Sequence, residues 1–205
     1  RAAARAALGL GERDTVLAVL PGSRRGEIRH IAPAFARAAL MLKAARPELR
    51  CVLPIAPGLR PMVEAIVAEA GAQDALTLTD GRSHEALAAS DVVLVASGTA
   101  TLEAALFKRP MVIGYRVAWL SALLMRRMRY QPWIGLPNVL AEDFLVPELV
   151  QEAMTPEALA AAVLRWLDDP AAGERVAARF AEMHHTLRRD TARAATDAIA
   201  QVVEA

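Results

Sequence analysis

Cysteine, aromatic residues and excess charge are all scarce in this 205-residue chain. A single cysteine, Cys51, rules out an intrachain disulfide and fits a reducing compartment. A formal net charge of +1, with no long basic tail or aromatic-interleaved basic patch, argues against general nucleic-acid binding. No run of 18 apolar residues and no signal-peptide pattern occur, so the expectation is a chain that neither spans a membrane nor carries an export tag. Asp-x-Asp is absent, and no His, Cys or carboxylate spacing points to a metal.

What is present is an alanine-rich, 55% hydrophobic composition, enough for a sizeable core in one large domain or one domain with an appendage. Apolar runs alternate with amphipathic segments. Strands are expected at Thr15–Pro21, Arg50–Ile55, Ala75–Thr79, Asp91–Ala96 and Pro110–Gly114. Helices are expected at Ile28–Ala45, Arg60–Ala70 (closed by Gly71), Ser83–Ala89 and Thr99–Phe107. Near-continuous Val/Ile/Leu strands between helices imply an α/β fold, a Rossmann-like doubly wound parallel sheet covered on both faces. From Thr155 the chain reads as helical: Pro156–Leu167, then one or two helices to Ala205. The expected division is residues 1–14 as a linker or partial helix continuing from a preceding half, 15–154 as the sheet domain, and 155–205 as a helical segment packing on that domain or on a partner.

Two strand–turn–helix junctions carry the strongest chemical signal. Pro21-Gly-Ser-Arg24 follows the first strand, and Ser97-Gly-Thr-Ala-Thr-Leu-Glu103 follows the fourth. A helix start presents unpaired N–H groups and the positive end of the helix dipole, and glycine admits a phosphate closely. In the common strand order 3-2-1-4-5, strands one and four are neighbours at the topological switch point, where ligands bind beyond the carboxyl ends. Gly22, Ser23 and Arg24 should then share one crevice with Ser97, Gly98 and Thr99.

Arg24 offers a fork of donors to a diphosphate; Arg25 is the weaker candidate, and pairing with Glu27 is the plain alternative for both. Glu103 lies four residues after Thr99, outside capping-box spacing, one turn into an apolar helix. Either it accepts from two ribose hydroxyls, or it pairs with Lys108 or Arg109. Gly81-Arg82-Ser83, after the third strand, either meets a base through backbone groups or is a simple turn. Asn138 is the one polar side chain in Leu136–Ala141, either a turn former or a ligand-facing amide.

Residues 104–141 hold six basic residues (Lys108, Arg109, Arg116, Arg126, Arg127, Arg129) and no acid, so the rest of the chain carries −5. Tyr115, Trp119, Tyr130 and Trp133 share the stretch with Leu120, Leu123, Leu124 and Met128. Such a mixture suits either an anionic bilayer boundary, centred on residues 116–133, or a core-packed helix with its arginines in water.

Leu20-Pro-Gly-Ser-Arg24, Ala96-Ser-Gly-Thr-Ala-Thr-Leu-Glu103, Pro110-Met-Val-Ile-Gly-Tyr-Arg116 and Leu136-Pro-Asn-Val-Leu-Ala141 together resemble the lipid-A-disaccharide synthase family, in that family's order. The resemblance runs from about Thr15 to the C-terminus and implies one half of a GT-B glycosyltransferase, the C-terminal, UDP-binding half. It implies transfer of 2,3-diacylglucosamine from UDP to 2,3-diacylglucosamine 1-phosphate, giving UDP and the β-1,6-linked lipid A precursor. It also implies a peripheral protein on the cytoplasmic side of a Gram-negative inner membrane. No metal or other cofactor is implied; the general base belongs to the N-terminal half, and a homodimer is an open possibility. Arg24 and Asn138 would serve catalysis, the first on departing UDP and the second on the donor's sugar or phosphate. Gly22, Ser23, Gly81, Arg82, Ser97, Gly98, Thr99 and Glu103 would hold the nucleotide. Two alternatives stand beside it. One is another GT-B UDP-sugar enzyme, of the peptidoglycan N-acetylglucosaminyltransferase or UDP-N-acetylglucosamine 2-epimerase type. The other is a nucleotide-sensing domain without chemistry.

Overall fold

The computed structural model describes residues 1–118 and 131–203. Within them a six-stranded, fully parallel sheet has the order β3-β2-β1-β4-β5-β6. The strands are β1 Val16–Leu20, β2 Arg50–Ile55, β3 Thr77–Asp80, β4 Val92–Ala96, β5 Met111–Tyr115 and β6 Glu148–Val150. The helices are α1 Ala2–Ala7, α2 Arg25–Ala45, α3 Arg60–Glu69, α4 Ser83–Ala89, α5 Thr99–Leu106, α6 Leu136–Ala141, α7 Pro156–Asp168, α8 Pro170–Leu187 and α9 Thr191–Val203. The expected order of the first five strands is the observed one. The sixth strand and α6 were not anticipated.

Every residue of β1 and β4 is buried, and period-two alternation sends neighbours to opposite faces. Leu17, Val19, Leu94 and Val112 join one core layer beneath α2, α3 and α7, with Phe35 and Val63. Val16, Ala18, Val93, Val95 and Ile113 join the other beneath α4, α5 and α8, with Leu87 and Phe180. Each such aliphatic side chain stabilises by about 1.5–3 kcal/mol when fully buried.

Residues 1–14 carry more structure than a linker would. Arg5, only 3% exposed, ties α1 and the loop after it to the base of β4. Its guanidinium donates to the carbonyls of Ala89 (3.1 Å), Gly11 (3.1 Å) and Glu12 (2.5 Å) and to the Asp91 carboxylate (3.1 Å). At the other end of the chain, α7 and α8 pack on the sheet domain, while α9 is exposed along its length.

The bilayer expectation for residues 116–133 falls largely on 119–130, outside the described residues. The described cations of the stretch are engaged in the fold. Arg109 donates to the carbonyls of Leu87 and Ala88, and Arg116 to those of Gln151 and Met154. Lys108 reaches the Leu106 carbonyl and His184 Nδ1. All three are therefore partly occupied by contacts within the fold. No helix among the described residues is long and apolar enough to cross a membrane.

Candidate functional site

The carboxyl ends of β1, β2, β3 and β4 open onto one cavity of about 460 Å³. Strand order accounts for it, because β1 and β4 are adjacent and their following turns diverge to opposite faces of the sheet. Gly22, Ser23 and Arg24 line one wall, and Ser97, Gly98 and Thr99 line the facing wall. Gly81 and Ser83 close a third side. Glu103, one turn into α5, also borders the space.

The two helix starts are not equivalent. At α2, the Glu27 carboxylate folds back and accepts from the N–H groups of Ser23 (3.0 Å) and Arg24 (3.3 Å). Gly22 sits at φ +114, and a Cβ there would lie 2.5 Å from Glu27 Oε2. Glycine is therefore needed for the backbone angle and to leave room for the carboxylate. An internal anion thus takes the place at α2 where a phosphate was expected, so Gly22 and Ser23 shape the wall while Ser23 N–H is already used. At α5, the Gly98 carbonyl accepts from Thr101 N and Oγ1, and Ser97 N donates to Gly114 O (3.1 Å). The N–H groups of Gly98, Thr99 and Ala100 have no acceptor recorded among the described residues and head the helix axis.

Arg24 reaches into solvent at the cavity rim, its side chain 85% exposed, with Nη1 3.6 Å from Glu27 Oε1. This loose contact leaves most of the guanidinium's donors open to a ligand. Arg25 is exposed and does not line the cavity. Glu103 pairs with His84 Nε2 at 3.3 Å, not with Lys108 or Arg109. The His84 ring rests 5.9 Å from that of Phe107.

Two of the expected site residues do not line the cavity. Asn138 is fully buried and does not line the cavity. Its amide donates to Val146 O (2.8 Å) and Glu148 Oε1 (2.9 Å) and accepts from Val146 N (3.1 Å), so its capacity is spent inside the fold. Arg82 sends its side chain away from the cavity to the Ala7 carbonyl (2.7 Å). Its neighbours Gly81 and Ser83 do line the space.

Other residues of the site escaped the sequence reading. Pro54 and Ile55 at the end of β2, with Ala56 and Pro57 just after it, form an apolar wall suited to a planar base. The switch-point rule applied to β2 as well as to β1 and β4 would have found them. Glu27 stands three residues after Arg24, which is capping-box spacing, and that signal was available. Beside the cavity, the Arg60 guanidinium donates to Asp80 (2.7 Å), fixing the end of β3 and holding the Asp80 carboxyl below its usual range.

A family model described as lipid-A-disaccharide synthetase matches residues 1–203. The chain is 52% identical over 208 residues to the lipid-A-disaccharide synthase of Albidiferax ferrireducens, covering all of this chain and 54% of that one. It is 52% identical over 202 residues to that of Burkholderia vietnamiensis, covering 98% of this chain and 52% of that one. Among solved structures, WaaG, a glycosyltransferase involved in lipopolysaccharide biosynthesis, aligns with a TM-score of 0.61 at 18% identity. That alignment covers 93% of this chain and 47% of WaaG. The UDP-GlcNAc 2-epimerase of Neisseria meningitidis, solved with UDP-GlcNAc, aligns at 0.60 and 13% identity over 91% of this chain and 48% of its own. At such identities these structures establish the fold alone, a Rossmann-like half of the GT-B kind. With matches of this depth along its whole length, the chain belongs to the lipid-A-disaccharide synthase family, and it spans about half the length of the relatives it matches.

Proposed function

We propose that this chain is the donor-binding half of a lipid-A-disaccharide synthase and that its cavity holds the UDP portion of UDP-2,3-diacylglucosamine. The observation that carries the reading is the meeting of the β1 and β4 turns around one cavity, with three N–H groups that have no acceptor among the described residues opposite an open guanidinium.

The diphosphate sits at the α5 start, on the Gly98, Thr99 and Ala100 amides, where the helix dipole adds to their attraction. Glu103, steadied by His84, accepts from the ribose hydroxyls. The uracil lies against the Pro54–Pro57 wall, within reach of the Gly81 backbone. As the acceptor's 6-hydroxyl attacks the anomeric carbon, the bond to the β-phosphate oxygen breaks and negative charge grows on UDP. Arg24 meets that charge, and a positioned donor of this kind contributes about 3–4 kcal/mol to the transition state. The base that removes the hydroxyl proton lies in the part of the polypeptide outside these residues. Charge compensation by Arg24 and the α5 amides makes a metal unnecessary, so activity should persist in EDTA. In this reading the enzyme works peripherally at the cytoplasmic face of the inner membrane. Liposome flotation with Leu123 and Leu124 changed to Ser tests that placement: unaltered binding removes it.

The function is tested in the full-length protein with acylated and non-acylated UDP-sugar donors. Disaccharide formation from the diacylated donor is expected. Turnover only of a non-acylated donor would favour another UDP-sugar enzyme, and UDP binding without turnover a sensing domain.

A further inference from the structure

The buried Asn138 and the half-buried Glu148 do not line the cavity, yet the pair leads directly to its wall. Glu148, the first residue of β6, uses both carboxylate oxygens. Oε2 accepts from Ile134 N (2.9 Å), and Oε1 accepts from Gly135 N (2.8 Å) and Asn138 Nδ2 (2.9 Å). The peptide so held presents its Ile134 carbonyl to Ser97 Oγ, which donates to it at 2.9 Å. Ser97 N is anchored on the other side by Gly114 O, next to the β5 residue Ile113 that pairs with Glu148. There is no slack behind this arrangement. A Cβ on Gly135 would lie 2.2 Å from Ile113 Cδ1 and 3.2 Å from Glu148 Oε1.

We propose that Glu148 is a positioning residue for the donor site, acting through Asn138 and the Ile134 peptide to fix Ser97 and the Gly98–Ala100 amides behind it. The proposal rests on the donor-site reading above. A carboxylate suits the task because three N–H groups converge on it and charge-assisted bonds are the stronger kind. Glutamine has nearly the same shape but one acceptor oxygen. Whichever way its amide turns, an N–H group faces an N–H group, and the backbone at Ile134 and Gly135 loses at least one of its two bonds to the side chain.

The test measures UDP and uridine affinities of the full-length protein by calorimetry for wild type, Glu148→Gln, Ser97→Ala and the double variant. Uridine lacks the diphosphate and serves as the control for general damage. Glu148→Gln should weaken UDP binding roughly tenfold and leave uridine affinity alone, and the double variant should be no weaker than the worse single change. Unaltered UDP affinity, a parallel loss of UDP and uridine, or additive effects would each overturn the positioning role. Wild type that fails to prefer UDP over uridine removes the donor-site reading itself, and this proposal with it. Should Glu148→Gln not fold, Ser97→Thr decides. The retained hydroxyl should keep UDP affinity near wild type while Ser97→Ala loses it, and equal affinity of Ser97→Ala and wild type contradicts the proposal.

Discussion

Arg5 and Cys51 show how burial sets the behaviour of single side chains here. The buried Arg5 guanidinium satisfies three carbonyls and pairs with Asp91, which also accepts from Arg1 and Val16 N. Arg5→Met should cost about 3 kcal/mol, because the three carbonyls lose their donor and Asp91 loses one of its partners. A denaturant midpoint within error of wild type would contradict this. Burial pushes the Cys51 thiol from the ordinary 9.0 up to about 12, with Lys43 opposing slightly. Between those values the unfolded chain releases a proton that the folded chain keeps. Stability therefore falls as pH rises through that window, by up to about 1.4 kcal/mol per unit from this one group. Comparing wild type with Cys51→Val in denaturant titrations at pH 9 and pH 10.5 checks it: the slopes should differ, and identical slopes would refute the assignment. Individual roles were the hardest layer to read from sequence. The places of Gly98 and Arg24 at the cavity were legible because helix-start geometry is local. Asn138 was not, since its partners Val146 and Glu148 lie eight and ten residues away and only folding brings them together. Arg82 does not line the cavity, although Gly81 and Ser83 on either side of it do.

Helices and strands follow from pattern where they are long and buried on at least one face. β2 and α4 have the expected bounds, and the other expected elements differ by a few residues at their ends. α6 and β6 escaped notice because six and three residues are too short to show a period, and β6 is only half-buried. The Gly-Tyr-Arg element is structural. A Cβ at Gly114 would lie 2.6 Å from Phe35 Cε1, and Arg116 ties β5 to the turn before α7. Gly114→Ala should destabilise by about 1–3 kcal/mol through overpacking against Phe35. It should also loosen Ser97, whose amide bonds the Gly114 carbonyl. Unchanged stability to urea would show that α2 gives way without cost.

Across the whole molecule, the parallel sheet supplies two cores and a rim, and the rim gathers loops distant in sequence. That gathering is legible in the sequence, because strand order alone makes β1 and β4 neighbours. What strand order could not reveal is the asymmetry between the two helix starts, one closed by Glu27 and one open. In the proposed reading, the groups of this site bind and stabilise a leaving diphosphate, and a partner half supplies the base. The chain alone should therefore bind UDP without forming disaccharide. Turnover by these residues alone would contradict the division of labour. In the full-length enzyme, Arg24→Ala should lower kcat at saturating donor by about two orders of magnitude, with a smaller change in UDP affinity.

Calorimetric titration of this chain with UDP and with uridine tests the shared cavity most directly. UDP should bind at least roughly tenfold tighter than uridine, and Arg24→Ala and Gly98→Pro should each narrow that difference. Equal affinities for the two ligands, or a difference untouched by both substitutions, would contradict a diphosphate held between the β1 and β4 turns.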